Sequence, residues 1–446
     1  MMRQTLAGIT SSNVFASQKP IFRFILDLAN STAGRTLACT VLTWLLIFAS
    51  CKQLLWRDPH AAFFSEEGVY DLGYSKIRQE EAHEYIDRAG GADGAFAAPT
   101  GHAKQPPVIC AAVTTFRREP INYLNETVGT MLEGFTPEER SALDVRLLFA
   151  HVDPTIHVDW NSSWLQAVDH WSGYNVSNAQ LDQIREWEVA PNYYAKGVYD
   201  YIYVLRECLD QTTAPYIAVF EDDIIFADGW LAKTFKALAD LKELSDSWLY
   251  LRLFYTETAL MWQESVDYWY GHKLVTFGLA MTATLGALLL IRRTVRPSRR
   301  FLDNLTIAVV VCVTVPMSIA LTFMIGKYNL MPLHGLERMD RYGCCTQALI
   351  YSRASATQVV EMLHERGSGQ TDSLIEEYGT KNGLAKYALA PQVVQHVGIV
   401  SSRDNLEANT RSTWAFWFET QDAEKLKKEH LDLAKAGIWR ATSEGG

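Results

Sequence analysis

Glycine and proline are scarce in this 446-residue chain, at 27 and 14, which excludes collagen-like and low-complexity architectures. Cysteine is scarcer, at seven, too few for a small disulfide-stapled scaffold. An excess of positive charge is also missing. Lys plus Arg number 41 against 51 Asp plus Glu, and a net charge of −10 argues against a basic face wrapped on a phosphate backbone. What is present is apolar: 48% of residues are hydrophobic and 12% aromatic, enough for two or three domains at roughly 150 residues each.

The charge is segregated. Arg3, Lys19, Arg23 and Arg35 face only Asp27 in the first 35 residues, and residues 292–303 hold five Arg against one Asp. Beside these basic stretches lie three uncharged apolar runs, 36–51, 274–291 and 305–326. A bilayer needs about 20 apolar residues, and Lys52 can snorkel while Leu54, Leu55 and Trp56 extend the first run. Three membrane spans are expected, with buried core helices as the alternative; Pro316 is tolerable in the third. A short, intensely basic loop stays cytoplasmic, as does a basic N-terminus. The expected layout is therefore a cytoplasmic tail (1–35), a first span (36–56), a stem and linker (57–107) and a first soluble part (108–272). A second span (273–291), a basic cytoplasmic loop (292–303), a third span (304–326) and a second soluble part with the tail (327–446) follow. Both soluble parts would share the lumenal side. Asn125, Asn161 and Asn175 stand in glycosylation sequons on that side. Cys110, Cys208, Cys344 and Cys345 lie away from the spans; they either pair, in a connectivity the sequence leaves open, or in the case of Cys110 remain a buried thiol.

In the soluble parts, residues 75–89 read as a surface helix and 90–107 as a Gly-, Ala- and Pro-rich linker. Apolar strands at 108–116, 145–151 and 216–220 alternate with helices at 121–133 and 192–210, the pattern of a doubly wound α/β sheet. Further apolar segments at 344–352 and 393–400 flank a helix at 355–366. Ligands of such sheets gather beyond the carboxyl ends of the strands, where Thr115, Arg117 and the run Glu221-Asp222-Asp223 fall. Three adjacent carboxylates repel unless neutralised. Either a hard divalent cation resolves this, or the run is a solvated turn in which one Asp caps the next helix.

The segments VTTFRREPINYLNETVGTMLEGFTPEER (113–140), FEDDI (220–224), CCTQALIY (344–351) and PQVVQHVGIVSS (391–402) resemble the GT-A glycosyltransferases related to N-acetylglucosaminyltransferase IV. Among these they are most similar to the family of Golgi GPI N-acetylgalactosamine transferases, whose unusual layout of one N-terminal span and a later transmembrane hairpin this chain shares. The resemblance spans most of residues 108–403. It implies an α/β fold: a Rossmann-like GT-A domain split by a transmembrane hairpin. It also implies transfer of a sugar from a UDP-sugar to the mannose core of a GPI anchor, with inversion, in the Golgi lumen, and with Mn²⁺ or Mg²⁺ as cofactor.

Carried over residue by residue, the resemblance makes Asp223, Glu221 and His396 the metal ligands; a core histidine is the alternative for His396. Asp222 joins Glu221 in handling the sugar nucleotide and counts among the catalytic carboxylates. Thr115, Arg117 and Glu119 would meet the nucleotide, Arg117 pairing with phosphate, and Lys196 could do likewise. Cys345 and Thr346 would begin the donor or acceptor pocket, with Arg252 as a further contact. Asp372 is the candidate base, unless it is a helix cap, and Glu337 the fallback. Two other functions stay open at this point: branching of N-glycans, and an inactive GPI-binding scaffold.

Overall fold

The computed structural model describes residues 31–91, 106–119, 121–244, 247–260, 262, 268–339, 342–398 and 413–437. They fall in two units, one drawn from residues 1–56, 60–64 and 266–331, the other from 57–59, 65–265 and 332–446.

In the first unit three helices are long and apolar enough to cross a membrane: Thr32–Leu54, Lys273–Thr294 and Asn304–Ile325. At about 1.5 Å per residue, 22 residues span roughly 33 Å, the thickness of a hydrocarbon core. These helices suggest a membrane protein. Pro316 has no N–H to give its helix, and the turn before it, Val310–Thr314, is wound as a π-helix, the local adjustment expected around such a residue. The first helix packs on the third through polar contacts: the hydroxyls of Thr40 and Thr314 lie 2.9 Å apart, and the Trp44 indole donates to the Met317 carbonyl at 3.0 Å. Aromatic rings gather near one end of the hairpin, where Trp269 and Tyr270 pack on Phe323 and the Lys273 ammonium sits over Tyr270. Interfacial belts have this composition.

The second unit is built on ten strands: β1 (Ile109–Thr115), β2 (Leu143–Phe149), β3 (His170–Ser172), β4 (Tyr216–Glu221), β5 (Ile224–Phe226), β6 (Trp248–Arg252), β7 (Gly335–Arg338), β8 (Ala348–Ser352), β9 (Ala385–Ala390) and β10 (Val394–His396). Eight form one sheet in the order β3-β2-β1-β4-β8-β6-β9-β7, while β5 pairs with β10. The doubly wound pattern holds for the first half, where β3, β2, β1 and β4 are parallel neighbours. Beyond β4 the sheet is mixed, because β8 runs antiparallel to both β4 and β6 and β7 antiparallel to β9. The α/β class holds, with one large mixed sheet at its centre. Alternation of strands and helices predicted crossovers before residue 221; strand direction after the two later apolar helices was not encoded in any local pattern.

Cys110 of β1 is bonded to Cys208 of the helix Tyr193–Gln211, and Cys344 to Cys345, so the four cysteines outside the apolar runs are paired. The helix at 75–89 is also not a mere surface element. It spans Tyr74–Gly90 and buries Arg78, 1% exposed, whose guanidinium donates to the carbonyls of Phe226 and Thr130 at 3.0 Å each and to Glu133 at 2.7 Å. It belongs with the sheet rather than with a stem.

Candidate active site

A cleft of about 840 Å³ opens beyond the carboxyl ends of β1 and β4. Part of its wall is aromatic and apolar, from Phe116, Ile156, Trp187, Pro191 and Tyr193; another part is polar, from Glu221, Asp223, Thr346, Asp372 and His396. Chain order alone separates Asp223 from His396 by more than 170 residues, with two apolar helices between them. The pairing of β5 with β10 closes that gap. Ile224 lies opposite His396 in the register, and the Val397 N–H donates to the Asp223 carbonyl at 2.9 Å. His396 Nε2 consequently stands 3.4 Å from Asp223 Oδ2. Its Nδ1 lies 3.2 Å from the Thr413 carbonyl, which accepts only if that nitrogen carries the proton, leaving Nε2 turned to the carboxylates.

Glu221, Asp223 and His396 offer ligand atoms all within 4.8 Å of one another. Two further observations fit an ion there. Asp223 Oδ1 is buried without a hydrogen-bond partner, and a Cβ built at Gly398 would lie 2.1 Å from Asp223 Oδ2 and 2.9 Å from His396 Nε2, so only glycine lets the backbone approach this closely. Two carboxylates and an imidazole suit Mn²⁺ or Mg²⁺. Electrostatically the three acids differ. Burial, reinforced by the Asp223 charge, lifts Glu221 to about 7. Burial also raises Asp222. Asp223 is pushed up by burial but pulled harder the other way by His396 and Arg118, and ends well below the usual carboxylate range. The same Asp223 charge raises His396 against the effect of its burial.

Arg118 supplies a neutralising charge that the sequence reading of three adjacent acids did not include. Its guanidinium donates to Asp222 Oδ1 and Asp223 Oδ2, both at 2.6 Å, and is itself 8% exposed. Protein charge already neutralises two of the three, and an ion is argued from the donor set instead. Arg118 was missed because TFRREP offers two adjacent arginines, and only the strand's exit geometry shows which one turns inward. Arg117 is the outward one: it lines the cleft, pairs with Glu119 and has half its side chain in solvent. Glu119 does not line the cleft, and its side chain is 71% exposed.

Other expected contacts are redistributed. Thr115 is fully buried and outside the cleft wall; its hydroxyl donates to Asp222 Oδ2 at 2.7 Å and meets His157 Nε2 at 3.0 Å. Asp222 Oδ2 also accepts the Phe116 N–H at 3.1 Å, so both its oxygens are committed and its role is to position the end of β1. Lys196 lines the cleft but spends its ammonium on the Ala150 carbonyl at 2.8 Å, the Tyr174 hydroxyl at 2.7 Å and Asp200 at 3.0 Å. Arg252 is 2% exposed and outside the cleft wall. It donates to the carbonyls of Gly343, Cys344 and Cys345 and to Glu376, holding the loop that presents Cys345 and Thr346. Those two do line the cleft, with the Thr346 hydroxyl donating to Glu221 Oε1 at 3.1 Å. Glu337 lies on β7 and does not.

Asp372 lines the cleft within the first turn of the helix Thr371–Lys381, whose N-cap is Gln370. Asp372 Oδ2 accepts the Cys345 N–H at 3.3 Å and the Tyr342 hydroxyl at 3.5 Å, long bonds that leave room for a stronger donor. Gln347, unremarked in the sequence, also lines the cleft; its Oε1 is buried and unpartnered. Among the sequons, Asn161 and Asn175 are exposed, whereas Asn125 is half-buried in a helix. The Thr127 hydroxyl of that third sequon is buried and donates to the carbonyls of Asp222 and Ile224, so a glycan there would have to be attached before folding.

Residues 108–395, well over half of the chain, match the model of the family described as GPI-N-acetylgalactosamine transferase PGAP4. The chain belongs to that family. No curated protein matches it. The family match ends one residue before His396, while the cleft of this GPI-N-acetylgalactosamine transferase family member continues through His396 and Gly398 to Thr413. Family membership makes this a glycosyltransferase and a GPI glycan its relevant acceptor class.

Proposed function

We propose that this chain is a metal-dependent, inverting glycosyltransferase that moves a sugar, N-acetylgalactosamine, from a UDP-sugar to the mannose core of GPI anchors in the Golgi lumen. The eight-stranded unit is then a GT-A domain split by a transmembrane hairpin, and residues 292–303 are its cytoplasmic turn. One observation carries the reading: Glu221, Asp223 and His396, from chain segments on either side of the apolar helices, converge at one cleft.

A Mn²⁺ or Mg²⁺ ion held by Glu221, Asp223 and His396 would act as a Lewis acid toward the departing diphosphate. The aromatic wall of Phe116, Trp187 and Tyr193 suits a nucleobase, and Arg117, free to swing from its exposed partner, supplies a cation for phosphate. Asp372 takes the proton of the acceptor hydroxyl as that oxygen attacks the anomeric carbon from the face opposite the diphosphate. The bond to UDP breaks as the new glycosidic bond forms, inverting the centre. Helices that hold the enzyme in the bilayer raise the effective concentration of a membrane-anchored acceptor.

The test is mass spectrometry of GPI glycans from cells lacking the protein and from cells rescued with wild type or Asp223→Ala. Loss of one N-acetylhexosamine branch, restored by wild type alone, is expected. Restoration by a folded Asp223→Ala protein would refute the catalytic reading and favour a scaffold.

A further inference from the structure

The turn between the helices Lys273–Thr294 and Asn304–Ile325 encloses a recess of about 610 Å³, lined by Arg292, Arg293, Arg299, Leu289, Leu302, Asp303 and Asn304. We infer that this recess binds the headgroup of an anionic phospholipid in the leaflet around it. The inference rests on reading the two helices as membrane spans.

A topological signal needs only a count of positive charges. Here the charges are also organised. Arg292 donates to Asn304 Oδ1 at 2.7 Å and so ties one helix end to the start of the other. Arg299 donates through Nε to the Arg292 carbonyl at 3.1 Å and through a terminal nitrogen to the Arg293 carbonyl at 3.4 Å. It thereby covers the carbonyls at the helix C-terminus, which would otherwise repel an anion. Neither guanidinium exhausts its five N–H donors on these bonds. Among the described residues no carboxylate pairs with any of Arg292, Arg293, Arg296, Arg299 or Arg300. The one acid at the turn, Asp303, is occupied as a helix cap, accepting the Thr306 N–H at 2.7 Å.

Unspent, positioned guanidinium donors suit a phosphate ester. A free cytosolic phosphate would satisfy them equally, but the recess is also walled by Leu289 and Leu302, and Leu289, Leu290 and Ile291 continue it as exposed apolar helix surface. A phosphate joined to acyl chains fits both parts, and basic recesses at the ends of membrane helices have this chemistry.

The experiment uses the full chain reconstituted in phosphatidylcholine nanodiscs containing a minor share of phosphatidylserine or of a phosphatidylinositol phosphate, with retained lipid counted by native mass spectrometry. Wild type is expected to enrich an acidic lipid several-fold over its share of the disc. The double variant Arg292→Gln with Arg299→Gln should lose that enrichment. Arg292→Lys with Arg299→Lys, which keeps every charge, should lose most of it, because an ammonium cannot bridge two acceptors as the planar fork does. Absence of enrichment in wild type, full enrichment in the Gln variant, or equal binding of soluble glycerophosphoserine and the intact lipid would each overturn the proposal. Cysteine-labelling topology separates the two layers: a turn found on the same side as Asn161 would refute the membrane reading itself, whatever the lipid count.

Discussion

Arg118 stands between Asp222 and Asp223, which are 3% and 4% exposed, so deleting the guanidinium strands two buried carboxylates. Arg118→Ala should destabilise the protein by about 3–5 kcal/mol in urea unfolding, and added Mn²⁺ should recover part of that loss by replacing the missing charge. Full stability without metal would refute the role assigned to Arg118. Gly398→Ala tests the close approach beside Asp223. It should leave the melting temperature within a few degrees yet abolish metal binding and transfer, because the new methyl group would occupy the space between Asp223 and His396. At Gln347, whose buried carbonyl oxygen awaits a donor, a change to Leu should raise KM for the sugar nucleotide by about tenfold, worth about 1.4 kcal/mol, with stability unchanged. Unaltered kinetics would mean that the amide does not meet the donor. The acidic residues were legible because they end an apolar strand, whereas His396 was singled out only by the family resemblance of the segment around it. Gln347 and Gly398 were not, since an amide and a glycine announce nothing until their surroundings are known.

Among secondary elements, the helix Ala423–Lys435 shows how a segment with no motif can matter. His430 lies between two carboxylates, with Nδ1 at 2.6 Å from Asp228 and Nε2 at 3.0 Å from Glu139. Carboxylates only accept, so both ring nitrogens donate and the imidazole is charged. Burial opposes that charge, but the bonds to Asp228 and Glu139 outweigh it and lift His430 to about 9. A folded value above the unfolded 6.5 means that the stabilisation is complete below about pH 6.5 and is lost as pH rises through about 9. The stability gap between wild type and His430→Gln should shrink across that window in denaturant titrations, and a gap independent of pH would contradict the assignment. Strands β1, β2 and β4 were readable from apolar runs bounded by turns. The three-residue strands β5 and β10, which assemble the site, are too short for any periodicity to show, and each depends on its partner for definition.

For the molecule as a whole, the three apolar helices and the basic turn were written in charge and hydropathy. The mixed sheet order was not, because β8, which enters between β4 and β6, begins only at Ala348, long after β6 ends at Arg252. Every strand of the sheet lies outside residues 273–325, which belong to the other unit. Replacing them by a flexible polar linker should give a protein that unfolds cooperatively without detergent and still binds Mn²⁺, yet fails on acceptors held in a bilayer; transfer to membrane-borne GPI at the wild-type rate would contradict the proposed function of the helices. The sheet order also bears on biosynthesis. When translation has delivered only the part before the hairpin, β4 lacks one neighbour and β6 lacks both, for β8 and β9 have not been made. Even then the centre lacks His396 and the Thr413 carbonyl that orients it, and Glu419 has yet to accept the N–H groups of Gly73 and Ser75. Nascent chains must therefore hold raw sheet edges, in need of chaperone cover, until Glu419 has been made, and a stop codon ahead of the helix Ala423–Lys435 should yield a product destined for degradation rather than a weakened enzyme.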